Sequence, residues 1–273
     1  MKKSLLMRFR SIRTSIIVAF SALIIFSLLT YLVISLQYTE DTVLKNSREY
    51  TAQLIGQVNN DIDSYINHME NISYIVSGNT DVRDYLFTEN LSEERARELR
   101  ERITTVFRTV VDTRGDIINI ALLPQNREPV INDGWAELNP YAKVTAMSWY
   151  QEALKLQGQA AISSSHVQNA VRDKYNWVVT LSRSITNKAS PGVCGVFFVD
   201  LNYNSIQELC EHISLGNKGY VYILDKDGSI VYHPQQQLIY SGMKHELISE
   251  VMEGGDTSFV TDDGKLYTVS RSE

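Results

Sequence analysis

Followed for hydrophobic and polar positions, the chain changes character three times. Ile16 to Leu36 (IIVAFSALIIFSLLTYLVISL) is apolar on every side, 21 residues without a charge. As a helix rising ~1.5 Å per residue it covers about 31 Å, the thickness of a bilayer's hydrocarbon core. The hydroxyls of Ser21, Ser27, Thr30, Tyr31 and Ser35 can bond back to their own helix, so none need face lipid unsatisfied. From Thr39 to Val76 the apolar residues instead recur every three or four positions, among them Leu54, Ile55, Val58, Ile62, Tyr65, Ile66, Met69, Ile72 and Val76. That is one stripe of a helix, uninterrupted by proline and followed by Gly78. About 38 residues make a helix about 57 Å long, far beyond the ~11–12 of an average one. It therefore pairs with a second copy of itself, lies along a domain for part of its length, or both.

Beyond Gly78 two helices follow, Asp81 to Thr88 and one opened by Ser92-Glu93-Glu94 and running to Val111. Ser92 serves as N-cap, and the two acids suit the positive end of the helix. From Gly115 the period shortens to two. Strands are predicted at Asp116–Leu123, Pro129–Ile131, Ala160–Ser165, Asn176–Ile185 and Val193–Leu201, with helices at Thr145–Leu156 and Tyr203–Ile213. This order suggests one antiparallel sheet with helices on one face, an α+β layer. A second, smaller pattern follows: Tyr220–Leu224 and Ser229–His233 joined by Asp225-Lys-Asp-Gly228, a helix at His245–Met252, and Ser258–Val260 and Leu266–Ser270 joined by Asp262-Asp-Gly264. The expected domains are a tail at 1–14, a transmembrane helix at 15–36, a long helix at 37–78, and modules at 79–214 and 215–273. The last module stops one strand into a hairpin, so the expectation is a fragment of a longer protein.

Charge gives the apolar run a direction. Lys2, Lys3, Arg8, Arg10 and Arg13 precede it with no acid, and Glu40 is the first acid after it. By the positive-inside rule the tail stays in the cytoplasm and everything from Gln37 onward is exported. The run is longer than the apolar region of a cleavable signal peptide, and Gln37-Tyr-Thr-Glu40 offers no small-residue cleavage site, so an uncleaved anchor is expected. With the five N-terminal cations set aside, 21 basic residues stand against 32 acidic ones in the exported part, a net of −11. Nucleic acid and anionic lipid need a basic patch, so neither is an expected partner. Cys194 and Cys210 read as buried free thiols or as neighbours able to pair, with the first favoured, since a domain this large needs no staple. His68, His166, His212, His233 and His245 lack metal-ligand spacing and read as surface or structural residues; no metal and no cofactor is expected. Asp225-Lys226-Asp227-Gly228 opens like a calcium loop but lacks its later acids, so it reads as a turn. There is neither G-x-S-x-G nor H-E-x-x-H, and the chain is not expected to be an enzyme.

Four segments carry a resemblance: Trp149-Tyr150 on a helix, Val179-Thr-Leu-Ser-Arg183 on a strand, Gly195-Val-Phe-Phe-Val-Asp-Leu201, and Gly219-Tyr-Val-Tyr-Ile-Leu-Asp-Lys-Asp-Gly-Ser-Ile-Val-Tyr-His-Pro234. Together with the order span, long helix, larger module, smaller module, they resemble extracytoplasmic double-Cache (dCache) sensor domains. Within these, Trp149 to Glu246 is most similar to the sensors of bacterial membrane histidine kinases of the YesM and LytS type. The resemblance implies two PAS-like modules, a small extracellular ligand, a homodimer through the long helix, and a response regulator reached through a kinase region this chain lacks. A chemoreceptor or cyclase with the same sensor is the alternative, as is a membrane-anchored structural or adhesive ectodomain.

The expected ligand site lies in the module at 79–214, expected to be the membrane-distal one. Trp149 and Tyr150 are adjacent on a helix, so at most one faces a pocket fully; each reads as core packing or as a stacking platform for a sugar or ring face. Asp200 ends an apolar strand, where a carboxylate should be exposed, paired or turned to a ligand. In amino-acid-sensing dCache domains an Asp near this point meets the ligand's ammonium, and an Arg two residues before the Trp grips its carboxylate. Here that position is Met147, which offers no bidentate donor and points away from an α-amino acid, toward a neutral or cationic solute, carbohydrate included, or toward no small ligand at all. On the strand at 175–183, Trp177, Val179, Leu181 and Arg183 share one face, and Thr180 and Ser182 the other. The apolar face is the expected core side, leaving Thr180 and Ser182 toward the ligand.

Overall fold

The computed structural model describes residues 12–187, 190–213, 215, 219–243, 245–253, 258–261 and 265–271. The cations of the tail before Arg13 and the predicted turn at 262–264 fall outside these. The chain forms two compact units, residues 54–257 with 269–273, and residues 1–53 with 258–268.

The apolar run and the amphipathic stripe, distinct in sequence, belong to a single helix, α1 (Ile12–Gly78, 67 residues). In the smaller unit its first part is long and apolar enough to cross a membrane, and no residue of the span is buried by protein. The same unit holds two strands, β9 (Ser258–Val260) and β10 (Leu266–Thr268), paired antiparallel, with the Phe259 ring stacked on Tyr267 at 5.2 Å.

The larger unit is built on a six-stranded antiparallel sheet made from β1 (Ile117–Pro124), β2 (Val130–Ile131), β3 (Ala160–Ile162), β4 (His166–Val167), β5 (Trp177–Asn187) and β6 (Ser190–Asn202). Its order is β2-β1-β6-β5-β3, with β4 also paired to β5. The long hairpin β5–β6 is central, with β5 buried on both faces from Val178 to Ile185. Two helices precede the sheet. Asn79 caps α2 (Thr80–Phe87), its Oδ1 accepting from the Asp81 and Val82 amides, and Ser92 caps α3 (Glu93–Thr113) as expected, accepting from the Arg95 amide.

Period two assigns alternate residues to opposite faces. On one face Ile117, Leu201 and Val179 form a row across β1, β6 and β5, then Ile120, Val199 and Leu181, then Leu122, Phe197 and Arg183. These apolar rows pack with Val58, Met69 and Val76 of α1, with α2 and α3, and with Ile206 and Cys210 of α5 (Tyr203–Glu211). On the other face lie Asn119, Asp200 and Thr180, then Ala121, Phe198 and Ser182, then Leu123, Val196 and Ser184. This face is covered by α4 (Ser148–Lys155) and the segment around Ala170 and Val171. Helices therefore stand on both faces, and the expectation of one-sided cover fails at α4, whose Trp149 and Ala153 turn inward opposite to α1. The helix predicted from Thr145 begins only at Ser148, after a 3-10 turn at 144–146.

Beyond α5, β7 (Ile223–Leu224) and β8 (Ile230–Tyr232) form a hairpin. Its turn is built by Asp225, whose Oδ1 accepts from the Asp227 and Ser229 amides, and by Gly228 at φ 81°, a conformation that favours glycine. That is turn chemistry, and no group of three metal-ligating side chains occurs among the described residues. Short helices α6 (Gln236–Tyr240) and α7 (Ile248–Glu253) follow. Both cysteines are free; Cys210 is buried, which pushes its thiol up to about 12. Of the histidines, His233 is structural, fully buried with Nε2 at 2.9 Å from Glu246.

Candidate functional site

The cap-facing side of the sheet buries a row of polar groups at its centre. Asn119, Asp200 and Thr180 are direct cross-strand neighbours on three adjacent strands, so the ladder register alone brings them together. Asp200 is 1% exposed. Its Oδ1 accepts the Thr180 hydroxyl at 2.7 Å and its Oδ2 accepts the Asn119 amide at 3.0 Å. No basic group lies within ion-pair distance of it among the described residues. Burial raises the carboxyl well above its ordinary range, opposed by these two hydrogen bonds and by the positive charges of His166 and Lys174.

His166 extends the row. Its Nδ1 lies 3.0 Å from the Ser164 carbonyl, which can only accept, so that nitrogen carries a proton. Nε2 then stands 3.3 Å from the Thr180 oxygen, whose own proton is committed to Asp200. Ser163 braces Thr180, its hydroxyl accepting the Thr180 amide at 2.9 Å.

One row away, the Ser182 hydroxyl donates to the Trp149 carbonyl at 2.7 Å and so fastens the first turn of α4. Trp149 is 3% exposed, with its ring 4.7 Å from Phe198. It is packed into the cap's core. Tyr150, half-buried, meets Trp149 edge-on at 5.9 Å, and burial raises its hydroxyl pKa. Met147 packs against the same apolar cluster and brings no donor.

All five residues chosen from sequence thus lie on, or against, one face of the sheet, and Thr180 and Asp200 touch. Thr180 and Ser182 point away from α1. Asn119, His166 and Gln168 were not anticipated. Asn119 is a lone amide inside an apolar strand, and its alternation with Ala121 and Leu123 is the signal that would have found it. His166 and Gln168 sit in an irregular stretch that offers no periodicity. Two polar atoms here have no protein partner in the described structure, Asn119 Oδ1 and Gln168 Nε2, both on residues at most 2% exposed. Buried groups without a hydrogen bond cost about 1–3 kcal/mol each.

A Cache domain family model matches residues 39–273. The methyl-accepting chemotaxis protein McpA of Bacillus subtilis is 21% identical over 242 residues, covering 87% of this chain and 33% of McpA, so the chain spans about a third of that relative's length. Among solved structures, the sensory domain of the Campylobacter jejuni chemoreceptor Tlp3 with isoleucine bound superposes with a TM-score of 0.58 at 14% identity, covering 83% of this chain and 88% of that one. The ligand-binding domain of the Pseudomonas fluorescens chemoreceptor CtaA with L-isoleucine gives 0.54 at 16% identity, covering 84% and 86%. These structural likenesses concern the fold.

Proposed function

The chain belongs to the Cache domain family, and from that premise we propose that residues 37–273 are the ligand-sensing region of a transmembrane signalling receptor, anchored by Ile16–Leu36 with residues 1–14 in the cytoplasm. The site is the enclosed row of Asn119, Thr180 and Asp200 beneath α4. The observation that carries this is Asp200, a carboxylate buried in the middle of a sheet with no basic group within ion-pair distance among the described residues. For stability alone an apolar residue would serve better there, so the charge is kept for a ligand.

The ligand is a small solute that offers N–H or O–H donors, an amine or a polyol, because the row presents the Asp200 carboxylate and the open Asn119 oxygen as acceptors. Tlp3 and CtaA have isoleucine bound; here Met147 stands where an arginine would hold an α-carboxylate, so the carboxylate half of an amino acid has no fork to meet. Thermal-shift and calorimetric titration of the purified chain against amines, sugars and α-amino acids is the test. Stabilisation of about 2.7 kcal/mol is expected at a hundredfold excess over Kd, lost in Asp200→Asn. α-Amino acids binding as tightly as the matching amines would overturn the ligand class; binding that survives Asp200→Asn would overturn the site.

The output is read two ways. The motifs around Trp149 and Gly219–Pro234 support a histidine kinase that passes phosphate to a response regulator, while the similarity to McpA favours a chemoreceptor. Signal in either passes along a dimer of α1, whose Val43, Leu44 and Tyr50 are exposed at helical spacing. Cross-linking of Val43→Cys in membranes tests the dimer, and ligand-dependent phosphoryl transfer by the whole receptor, against control of a partner kinase, separates the outputs. The chain itself binds and does not catalyse; turnover of an ester or glycoside panel would contradict that.

A further inference from the structure

Ser182 and Arg183 are consecutive on β5 and so emerge on opposite faces. Ser182 holds α4 from below. Arg183 is 3% exposed on the helix-facing side, where every other member of the three rows is apolar. Its Nε donates to Ser73 Oγ of α1 at 2.9 Å, its Nη1 donates to the Gly158 carbonyl at 2.8 Å, and its guanidinium lies 3.7 Å from the Tyr74 ring centre. Gly158 belongs to the turn that ends α4, where Gln157 and Gly158 take φ of 46° and 95°. The same glycine is gripped from the cap side, its amide donating to Ser184 Oγ at 2.9 Å. One guanidinium therefore joins the end of the cap helix to the distal end of α1.

The energetics of this joint are unusual for a structural brace. A buried cation is normally answered by a carboxylate, and Arg183 has none within ion-pair distance among the described residues. Two neutral oxygens and a ring face take its place, and Nη2 is buried with no acceptor among the described residues. An apolar side chain would fill the position at no such cost. The arrangement is also unsaturated, so a displaced Gly158 carbonyl or Ser73 hydroxyl can be exchanged for another pairing at the free N–H, which is the property a two-state joint requires.

We propose, resting on the sensor reading above, that Arg183 is a positioning residue that couples the α4 cap to α1, so that movement of the cap's last turn is transmitted to Ser73 and Tyr74. The coupling is reciprocal, so it can be read without a ligand. Hydrogen exchange is followed on the whole chain in detergent micelles, at amides of the turn 157–159 and of α1 around 70–78. Ser73→Ala, which removes the Ser73 contact and leaves the Tyr74 ring in place, is expected to speed exchange in the turn by about two- to thirtyfold, the range carried by a packed network. Ser184→Ala, which frees Gly158 on the cap side, is expected to speed exchange in α1. In an Arg183→Met background neither variant has an effect across the joint, and Arg183→Lys, which keeps the charge but not the fork, does not restore it. Effects confined to the element that carries each substitution would overturn the proposal, and the two single variants decide it even if Arg183→Met does not fold. Because no ligand enters, that outcome leaves the Asp200 site standing, and failure of the solute panel leaves the joint standing.

Discussion

The two faces of the sheet are made from alternate residues of the same three strands, yet their chemistry is opposite. Facing α1, three rows hold eight apolar side chains and Arg183; facing α4, the rows hold Asn119, Asp200, Thr180, Ser182 and Ser184 among four apolar ones. Both faces are dry. Burial therefore does not distinguish core from site here, whereas the cost of what is buried does. The apolar face gains free energy from each side chain it hides, and the polar face spends some of it on buried hydroxyls and a carboxylate that must be answered by hydrogen bonds.

The comparison breaks most sharply under truncation. Phe197 is fully buried on the apolar face, edge-on to Phe107 of α3 at 5.9 Å. Phe197→Ala is expected to cost about 3–5 kcal/mol by chemical denaturation, through lost burial and the cavity left behind. A loss under about 1 kcal/mol would mean that the helical layer is not what stabilises the sheet.

Asp200→Asn acts with the opposite sign. The new amide keeps the Thr180 bond, and a turned Asn119 side chain offers it the oxygen that now has no partner. The native carboxyl titrates above its unfolded value, so with rising pH the unfolded chain releases its proton first and wild-type stability falls through that window. The variant lacks this slope. It should match wild type below the ordinary carboxylate range and be the more stable of the two near pH 7. Denaturation at pH 4 and pH 7 checks both points, and a variant less stable at pH 7 would mean that Asp200 is held as a favourable ion.

This contrast was half legible in the sequence. The strand from Trp177 showed which residues share a face because strict alternation is a property of the chain itself, and the same arithmetic separated Thr180 and Ser182 from Val179 and Leu181. The continuity of α1 was legible too, since neither part contains a proline. What pairs with what was not. Asp200 meets Asn119 and Thr180 through ladder register, which depends on the bulge between Ile117 and Asn119 and on how two distant strands align. His166 enters from a two-residue strand too short to carry a period. Arg183 looked like one more member of the core stripe; only its reach to Gly158 and Ser73 shows it to be the exception.

A smaller effect tests how the polar face holds its cap. Ser182→Ala leaves the Trp149 carbonyl without its buried donor, and about 1 kcal/mol should be lost, with faster hydrogen exchange at the start of α4 and none around α3. Equal changes in both helices would show a general loosening of the sheet instead of a local fastening.

The smallest expected effect lies on the outer surface of that helix. Lys155 and Glu152 form an ion pair at 2.6 Å, but their side chains are 67% and 46% exposed. Water and salt screen such a pair, and holding two long side chains together costs entropy, so the net gain is small. Lys155 also sits in the last turn of α4, where a cation is favoured by the helix dipole, again by only a few tenths of a kcal/mol at the surface. Lys155→Met is accordingly expected to change stability by less than about 0.5 kcal/mol and to leave solute binding within a factor of about two. If it instead loosened α4 as far as Ser182→Ala does, the cap would be held by its own surface charges, and the buried face beneath it would no longer account for its seat.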